Sequence, residues 1–496
     1  MRLLPGMDGF FYLSFPGKQV YWMVSENGRF ESMKQKKERE KEISQWPWIS
    51  MLPFGILAGY WGKREVRITA ISEYGFQTRL ATPATAEQKN APWELAFYDQ
   101  KTAAYQRILL RDAIFLKEKE EDFDVVYTFA TEQDDYRNAV QRLALQYGQY
   151  IRWKMEDDDA ALAEEMTGYP AEQDAFHLES LEEQKKVWFS DIGKETFTAL
   201  QNGFAESGQP GQPVELALEL DRPEWYKAYL SMESAAFFDA YFRRNQIPDP
   251  PLFHPDRLYI GNAFCPHLAP TEEELFALMD KACRESFAIT LTFPFLLEEN
   301  LTETQARLQH LARWCEQKNK TIEIVVNDWG TAHLAAQLPV FSLCLGVLLN
   351  KRKKDPRMAY KLGNRTLFEQ NSVHAAFYRE YLKEEFRMER YEWESCGDTS
   401  TRKFPEGKNS LRLPFYQTNT SQYCPLYAAC TEGSRGAQVP IRECPKFCER
   451  QAFLYPEHLR MVGRYNSLFG VDLTVLKRTG AVLELRGVDR MVVNLL

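Results

Sequence analysis

The sequence contains no apolar run that approaches the roughly 18 residues of a membrane-spanning helix. Pro5, Gly6 and Asp8 interrupt the first stretch before the apolar core of a signal peptide can form. No cysteine occurs before Cys265, and the odd total of nine does not suit a secreted disulfide framework. We therefore expect a cytoplasmic protein with no membrane segment.

The sequence also has no excess of basic residues, because it contains 61 Lys and Arg residues and 70 Asp and Glu residues. This acidic balance argues against broad binding to nucleic acid, although it leaves a local basic groove open. The Ser nucleophile elbow, the Walker loop, Gly-x-Gly-x-x-Gly, His-Glu-x-x-His and the radical-SAM cysteine triplet are all absent from the sequence. The residues therefore give no chemical support to a metallopeptidase.

What is present suits a folded protein, because 44% of the 496 residues are hydrophobic and 26% are charged. Residues 1–155 predict a β-rich domain closed by a helix, from short β-branched and aromatic runs between turn formers. Residues 156–250 predict a mixed α/β connecting region that contains the turn-rich stretch Gly208–Pro213. Residues 251–496 form the third predicted domain.

Part of the first domain resembles a PilZ-type small β-barrel through Ile71–Phe76 and the nearby Arg64 and Arg67. Such barrels bind a cyclic dinucleotide through an Arg-x-x-x-Arg pair and an Asp/Asn-x-Ser-x-x-Gly turn. Here the arginines are one residue too close together, and Ala70 stands where the acidic or amide residue belongs. We therefore expect a structural or interaction barrel, with dinucleotide binding as the alternative.

From residue 256 onward, apolar strands alternate with helices. Thr271 and Glu274 form a capping-box pattern that predicts a helix to about Phe287. The other predicted elements are the strands Arg257–Gly261, Ala288–Pro294, Thr321–Val326 and Val340–Leu345, and the helix Thr302–Lys318. This alternation predicts an α/β fold, with a complete or partial (β/α) TIM-like barrel of about six to eight strands.

Five cysteines fall where such a barrel carries its chemistry, on loops that follow strands. Cys265 follows the first predicted strand, Cys424 follows the run Leu411–Thr418, and one long loop carries Cys430, Cys444 and Cys448. The chain has no Cys-x-x-Cys knuckle of the zinc-ribbon type. The irregular spacing favours an iron–sulfur cluster, while a zinc site and free thiols remain the alternatives.

Three segments carry a more specific resemblance: Leu258–Cys265, Thr420–Cys424 and Glu443–Cys448. They are similar to the cysteine motifs of UbiV-like members of the collagenase-like peptidase family U32, over roughly residues 256–470. The resemblance implies a (β/α) barrel-like domain that holds one [4Fe-4S] cluster. It also implies the cluster ligands Cys265, Cys424, Cys444 and Cys448, with Cys430 as the alternative to Cys424.

The family also implies functions. Members take part in oxygen-independent hydroxylation of ubiquinone precursors, or hydroxylate RNA pyrimidines, and others are labelled peptidases. The resemblance therefore implies a redox enzyme of the hydroxylase type, acting on a small molecule or on RNA. A non-catalytic redox-sensing or partner-binding iron–sulfur protein is the first alternative, and a peptidase is the second. A paired homologous subunit, or another protein, is the partner expected at the N-terminal domain.

Three further side chains are weak candidates for catalysis. Asp328 follows the strand Thr321–Val326, where a pocket role and a helix-capping role are about equally expected. His267 and His333 lie on predicted loops near the cluster ligands and are candidates for a general acid or base. For both histidines, ordinary packing or exposure is the favoured interpretation.

Overall fold

The computed structural model describes residues 2–3, 10–15, 18–24, 30–32, 41–50, 55–99, 102–121, 123–156, 159–175, 180–193, 196, 214–247, 254–396, 403–477 and 487–496. The predicted turn over Gly208–Pro213 lies outside the described residues. The chain divides into two compact units, Met1–Leu162 and Ala163–Leu496. None of the helices in the described ranges has the length and apolar character needed to cross a membrane.

The first unit consists mainly of antiparallel strands. They are β1 (Arg2–Leu3), β2 (Phe10–Phe15), β3 (Lys18–Val24), β4 (Phe30–Ser32), β5 (Ile49–Ser50), β6 (Leu57–Trp61), β7 (Arg64–Val66), β8 (Ile68–Ser72), β9 (Gly75–Leu80), β10 (Trp93–Asp99), β11 (Ala104–Leu110), β12 (Ile114–Glu120) and β13 (Val125–Ala130). They form three sheets with the orders β1-β2-β3-β4, β11-β10-β6-β7 and β12-β13-β9-β8-β5. The helices are α1 (Ala86–Lys89) and α2 (Asp134–Met155).

Aromatic side chains fill the core between the second and third sheets. Trp61 stacks on Trp93 with 4.9 Å between ring centroids, and Phe129 packs edge-on against both rings. The Tyr136 hydroxyl of α2 donates hydrogen bonds to the carbonyl oxygens of Ser72 and Gly75, at 2.8 and 2.6 Å. These bonds fix α2 to the β8–β9 turn. The predicted β-rich first part is confirmed, and the likeness to PilZ barrels stays a prediction.

The second unit contains eight parallel barrel strands. They are β14 (Glu215–Leu220), β15 (Arg257–Ile260), β16 (Ala288–Thr292), β17 (Ile322–Val326), β18 (Phe341–Leu345), β19 (Arg390–Glu394), β20 (Lys408–Thr420) and β24 (Arg490–Asn494). Neighbouring strands pair in chain order from β14 to β20, and β24 pairs with both β20 and β14. The predicted TIM-like barrel is confirmed, and it is closed.

The helices of this unit lie before and between the barrel strands along the chain. They are α3 (Asp159–Thr167, which begins in the first unit), α4 (Leu181–Phe189), α5 (Pro223–Ser231), α6 (Ser234–Arg244), α7 (Glu272–Arg284), α8 (Leu301–Lys318), α9 (Trp329–Ala336), α10 (Arg365–Glu369), α11 (Ala376–Phe386), α12 (Pro425–Glu432) and α13 (Thr474–Lys477). The predicted capping box is present at the start of α7, where Thr271 and Glu274 bond to each other's backbone N–H. The first barrel strand, β14, lies inside the stretch predicted to be a connecting region.

The barrel interior is polar as well as apolar. Ala217 and Tyr259 lie in a small buried cluster with residues of β17, β18 and β24. Beside it, the guanidinium of Arg412 forms ion pairs with Glu219 and, at 3.3 Å, with Glu392. All three charged side chains are buried. Alternation along each strand thus places apolar side chains against the helices and an ionic network inside the barrel.

Strand β20 continues past the end of the barrel. Its first part pairs with β19 and β24, and its last part, Phe415–Thr420, pairs antiparallel with β23 (Ser467–Val471). Strands β22 (Met461–Arg464) and β21 (Phe453–Leu454) complete this outer sheet. The extension carries the chain from the carboxyl end of the barrel directly to Cys424.

Candidate functional site

Cys265 is positioned by the turn that follows β15. Gly261 has a φ of +117°, and a Cβ at this position would lie 2.2 Å from the carbonyl oxygen of Thr292, so only glycine fits. The next residue, Asn262, accepts hydrogen bonds on its Oδ1 from the backbone N–H groups of Phe264 and Cys265, at 2.8 and 2.7 Å. The turn is therefore built to hold Cys265 at the carboxyl end of the barrel, where the residue is 6% exposed.

Cys424 lies where the β20 extension meets α12, as its N-cap residue. Its Sγ accepts a hydrogen bond from the Tyr427 backbone N–H at 3.4 Å. The side-chain amide of Asn466 donates to the carbonyl oxygens of Phe264 and Ser421, at 2.6 and 2.9 Å. Asn466 thus ties the Cys265 turn to the segment that precedes Cys424, although the two segments are far apart in sequence.

Cys444 and Cys448 lie on the loop that returns from α12 to the outer sheet. A single 3-10 turn, Phe447–Glu449, contains Cys448, and Lys446 before it has a left-handed φ of +57°. The carbonyl oxygen of Cys448 accepts a hydrogen bond from Arg464 Nε at 3.4 Å. Cys444 and Cys448 are both half-buried.

The four thiols lie within electrostatic range of one another. Burial raises the pKa of Cys265 above its usual value, and the thiolates of Cys448, Cys424 and Cys444 raise it further. Burial also raises the pKa of Cys424, with a contribution from Cys444, and raises that of Cys448 to about 11, with contributions from Cys444 and Cys424. All nine cysteines are free thiols. Four buried or half-buried thiolates at one place would repel each other unless a cationic centre lies between them.

Cys430 differs from these four. It is exposed, and its thiol donates a hydrogen bond to Gln451 Oε1 at 2.7 Å. Cys430 raises the pKa of Cys424, as Cys444 does. It therefore lies at the edge of the group, whereas Cys424 interacts with the thiols on both other segments.

The four cysteines supply thiolate donors, which bind both zinc ions and iron–sulfur clusters. Within the described ranges, no three His, Cys, Asp or Glu side chains form a group arranged to hold a metal ion. Four ligands of one zinc ion lie within about 4 Å of each other, because each Zn–S bond is about 2.3 Å long. The thiolates of a cubane cluster bind four different irons and so lie farther apart.

A cavity of about 1220 Å³ adjoins two of these cysteines, and we call it the thiol cavity. Its wall includes Cys265, His267 and Cys424, together with the segment Phe293–Asn300 that follows β16. Burial lowers the pKa of His267, which favours the neutral imidazole. Of the three catalytic candidates, His267 is the one that lines this cavity.

The other two candidates have structural contacts. The Asp328 carboxylate caps α9, accepting from the backbone N–H and hydroxyl of Thr331 (both 2.8 Å), and it also accepts from the Leu296 N–H at 3.1 Å. His333 is exposed on α9 and packs against the Phe386 ring, with 4.9 Å between centroids. Neither residue is part of the thiol cavity wall.

Sequence reasoning did not identify the two asparagines that organise the site. Asn262 could have been identified from the sequence, because the pair Gly261–Asn262 directly after a predicted strand is a turn signal close to Cys265. Asn466 carries no such signal, because its role depends on two segments that meet only in the folded chain. Sequence reasoning also did not identify the buried cations Lys185 and Arg464, which line a second cavity together with Cys448.

No protein-family model and no curated protein matches this sequence. Two solved structures are weakly similar. The U32 peptidase Mk0906 aligns over 57% of this chain and 94% of its own, with 10% identity and a TM-score of 0.30. The Legionella uncharacterized protein Lpg0364 aligns over 21% of this chain and 96% of its own, with 14% identity and a TM-score of 0.15. Neither similarity is strong enough to bear on function.

Proposed function

We propose that the second unit binds one [4Fe-4S] cluster through Cys265, Cys424, Cys444 and Cys448. The proposal is supported by the position of Cys265 and Cys424 on the wall of one cavity and by the electrostatic effect of Cys424, Cys444 and Cys448 on Cys265. Burial raises the pKa values of Cys265, Cys424 and Cys448, so these three thiols hold their protons until a cationic centre replaces them. The cluster would supply one-electron chemistry at this position.

We further propose that the protein is a redox enzyme whose substrate binds in the thiol cavity. The cavity adjoins Cys265 and Cys424, so a substrate there would lie beside the cluster. His267 on the cavity wall would offer a neutral imidazole for a hydrogen bond to that substrate. The family resemblance suggests oxygen-independent hydroxylation as the reaction, with a small molecule or RNA as the substrate.

The test is anaerobic purification, or reconstitution with iron and sulfide, followed by metal and sulfide analysis. We expect about four irons per chain and an electron paramagnetic resonance signal after reduction. Ser substitutions at Cys265, Cys424, Cys444 and Cys448 should each lower the iron content severely. Cys430→Ser and Cys283→Ser are the matched controls and should keep it.

Two results would contradict the assignment. If the purified protein is colourless and contains one zinc per chain, the site holds a structural zinc ion and not a cluster. If Cys424→Ser retains iron and Cys430→Ser loses it, the second ligand is Cys430 and not Cys424.

A further inference from the structure

A second cavity, of about 720 Å³, lies beside Cys448, and we call it the cationic cavity. Its wall includes Lys185 of α4, Arg222 before α5, Trp225 of α5 and Arg464 at the end of β22. The volume is within the range of sites that bind small organic molecules. Of the four proposed cluster ligands, Cys448 lines this cavity, and so does Cys430, the alternative to Cys424.

Among the residues that the structure describes, Arg464 is a buried cation that forms no ion pair with a carboxylate. The residue is 7% exposed, and its Nη1 atom has no hydrogen-bond partner among the described residues. Its Nε donates to the Cys448 carbonyl oxygen, at 3.4 Å.

Lys185 is a second buried cation that forms no ion pair within the described part of the chain. The residue is 6% exposed, and within the described part of the chain its ammonium group forms no hydrogen bond or ion pair. Burial lowers the pKa of Lys185 to about 7, and the charges of Arg464 and Arg222 contribute to the shift. An unpaired ammonium loses hydration on burial, and a bound anion that pairs with Lys185 would offset that loss.

The nearby acidic groups do not neutralise these cations. Asp221 is buried, but it pairs with Arg222 at 2.7 Å. Glu224 pairs with Arg244, and Glu182 is exposed on α4. Glu449 on the cavity wall is also exposed, and the buried Glu219 forms its ion pair with Arg412.

The uncharged wall of the cavity also offers a donor. The indole Nε1 of Trp225 is buried and has no hydrogen-bond partner among the described residues. Lys, Arg and Trp side chains have donors and no acceptors. A cavity with three unsatisfied donor side chains and surplus positive charge is complementary to an oxyanion, which supplies only acceptors and negative charge.

We propose that the cationic cavity is a binding site for a small anion, a carboxylate or a phosphate, held by Lys185 and Arg464. The site is distinct from the thiol cavity and does not require the cluster. Arg222, already paired with Asp221, would add positive potential without being the main contact. The anion is either a free metabolite-sized ion or the acidic group of a larger substrate.

The alternative is that these cations neutralise the cluster itself, since Arg464 contacts the backbone of Cys448. The two explanations differ in what happens without iron. An anion site persists in an iron-free protein, whereas charge compensation has no role there. Cys444→Ser provides the iron-free chain, because Cys444 does not line the cationic cavity.

The experiment measures thermal unfolding of the full chain with increasing inorganic phosphate or malonate, at constant ionic strength set with chloride. Wild type and Cys444→Ser should both show a saturable rise in melting temperature, because a ligand that binds only the folded state stabilises it. Lys185→Met should raise the apparent Kd at least tenfold. Without ligand, Lys185→Met should melt at or above the wild-type temperature, because it removes an unpaired buried charge.

Lys227→Met on α5 is the matched control, because Lys227 is exposed and lies outside the cavity wall. It should keep the wild-type response to both anions. Absence of a saturable effect in wild type would overturn the proposal, as would an unchanged response in Lys185→Met. Loss of iron in Lys185→Met, together with no anion effect in Cys444→Ser, would assign the cations to the cluster instead.

Discussion

Arg412→Met tests the ionic network inside the barrel. Arg412 is 1% exposed and is the shared partner of the Glu219 and Glu392 carboxylates. Methionine has a similar length and no charge, so the substitution leaves two buried carboxylates without their cation. Removing one partner of a buried ion pair costs about 3–5 kcal/mol.

The expected change in melting temperature follows from the size of the unit. A unit of roughly 330 residues has an unfolding entropy of about 0.7 kcal/mol per degree near 60 °C. A loss of about 3–5 kcal/mol therefore corresponds to a decrease of about 4–7 °C. The deficit should shrink at low pH, where the two carboxylates are protonated and no longer need the guanidinium.

The assay is thermal unfolding followed by near-ultraviolet circular dichroism at two pH values. Arg243→Met is the control, because its ion pair with Asp239 within α6 is exposed and contributes only about 0.3–0.5 kcal/mol. Adding Glu219→Gln and Glu392→Gln to Arg412→Met should recover part of the loss. A melting temperature for Arg412→Met within about 1 °C of wild type at high pH would refute the reasoning.

Three further predictions concern single residues. Burial raises the pKa of Glu392 to about 7; the folded protein therefore binds this proton more tightly than the unfolded chain, and stability should fall as pH rises from about 5 to about 7. In Glu392→Gln the loss of stability over this pH range should be smaller than in wild type. An equal fall of the melting temperature in both proteins would contradict this prediction. Gly261→Ala should destabilise the second unit by more than about 1 kcal/mol, whereas Gly148→Ala in α2, where a new Cβ meets no atom within 4 Å, should not. Asn466→Ala should speed alkylation of Cys265, measured by mass spectrometry, and an unchanged rate would mean that the two hydrogen bonds do not hold the turn.

Local patterns predicted much of the second unit. Strands β15 to β18 begin and end within two residues of the predicted bounds, and α8 begins one residue earlier than predicted. These elements lie between clear turn and capping signals, so the local sequence determines where they start and stop. The predicted α/β class and barrel follow from their alternation.

Other parts of the fold depend on closure of the barrel. β14 lies far upstream of β15 and has a charged residue at Glu219, which does not look like a buried position until Arg412 is placed beside it. The cysteines were identified from their spacing, but their proximity rests on the Gly261 turn and on the Asn466 bridge. Contacts between distant segments leave no periodic signal in a single sequence.

The position of β24 has a consequence for synthesis on the ribosome. This strand, Arg490–Asn494, lies between β14 and β20 and pairs with both of them. A nascent chain that ends before residue 490 therefore holds every cysteine of the site while its two neighbouring strand edges are still unpaired. Exposed edges of this kind attract other strands, so the interval before β24 emerges is when the chain most needs a chaperone.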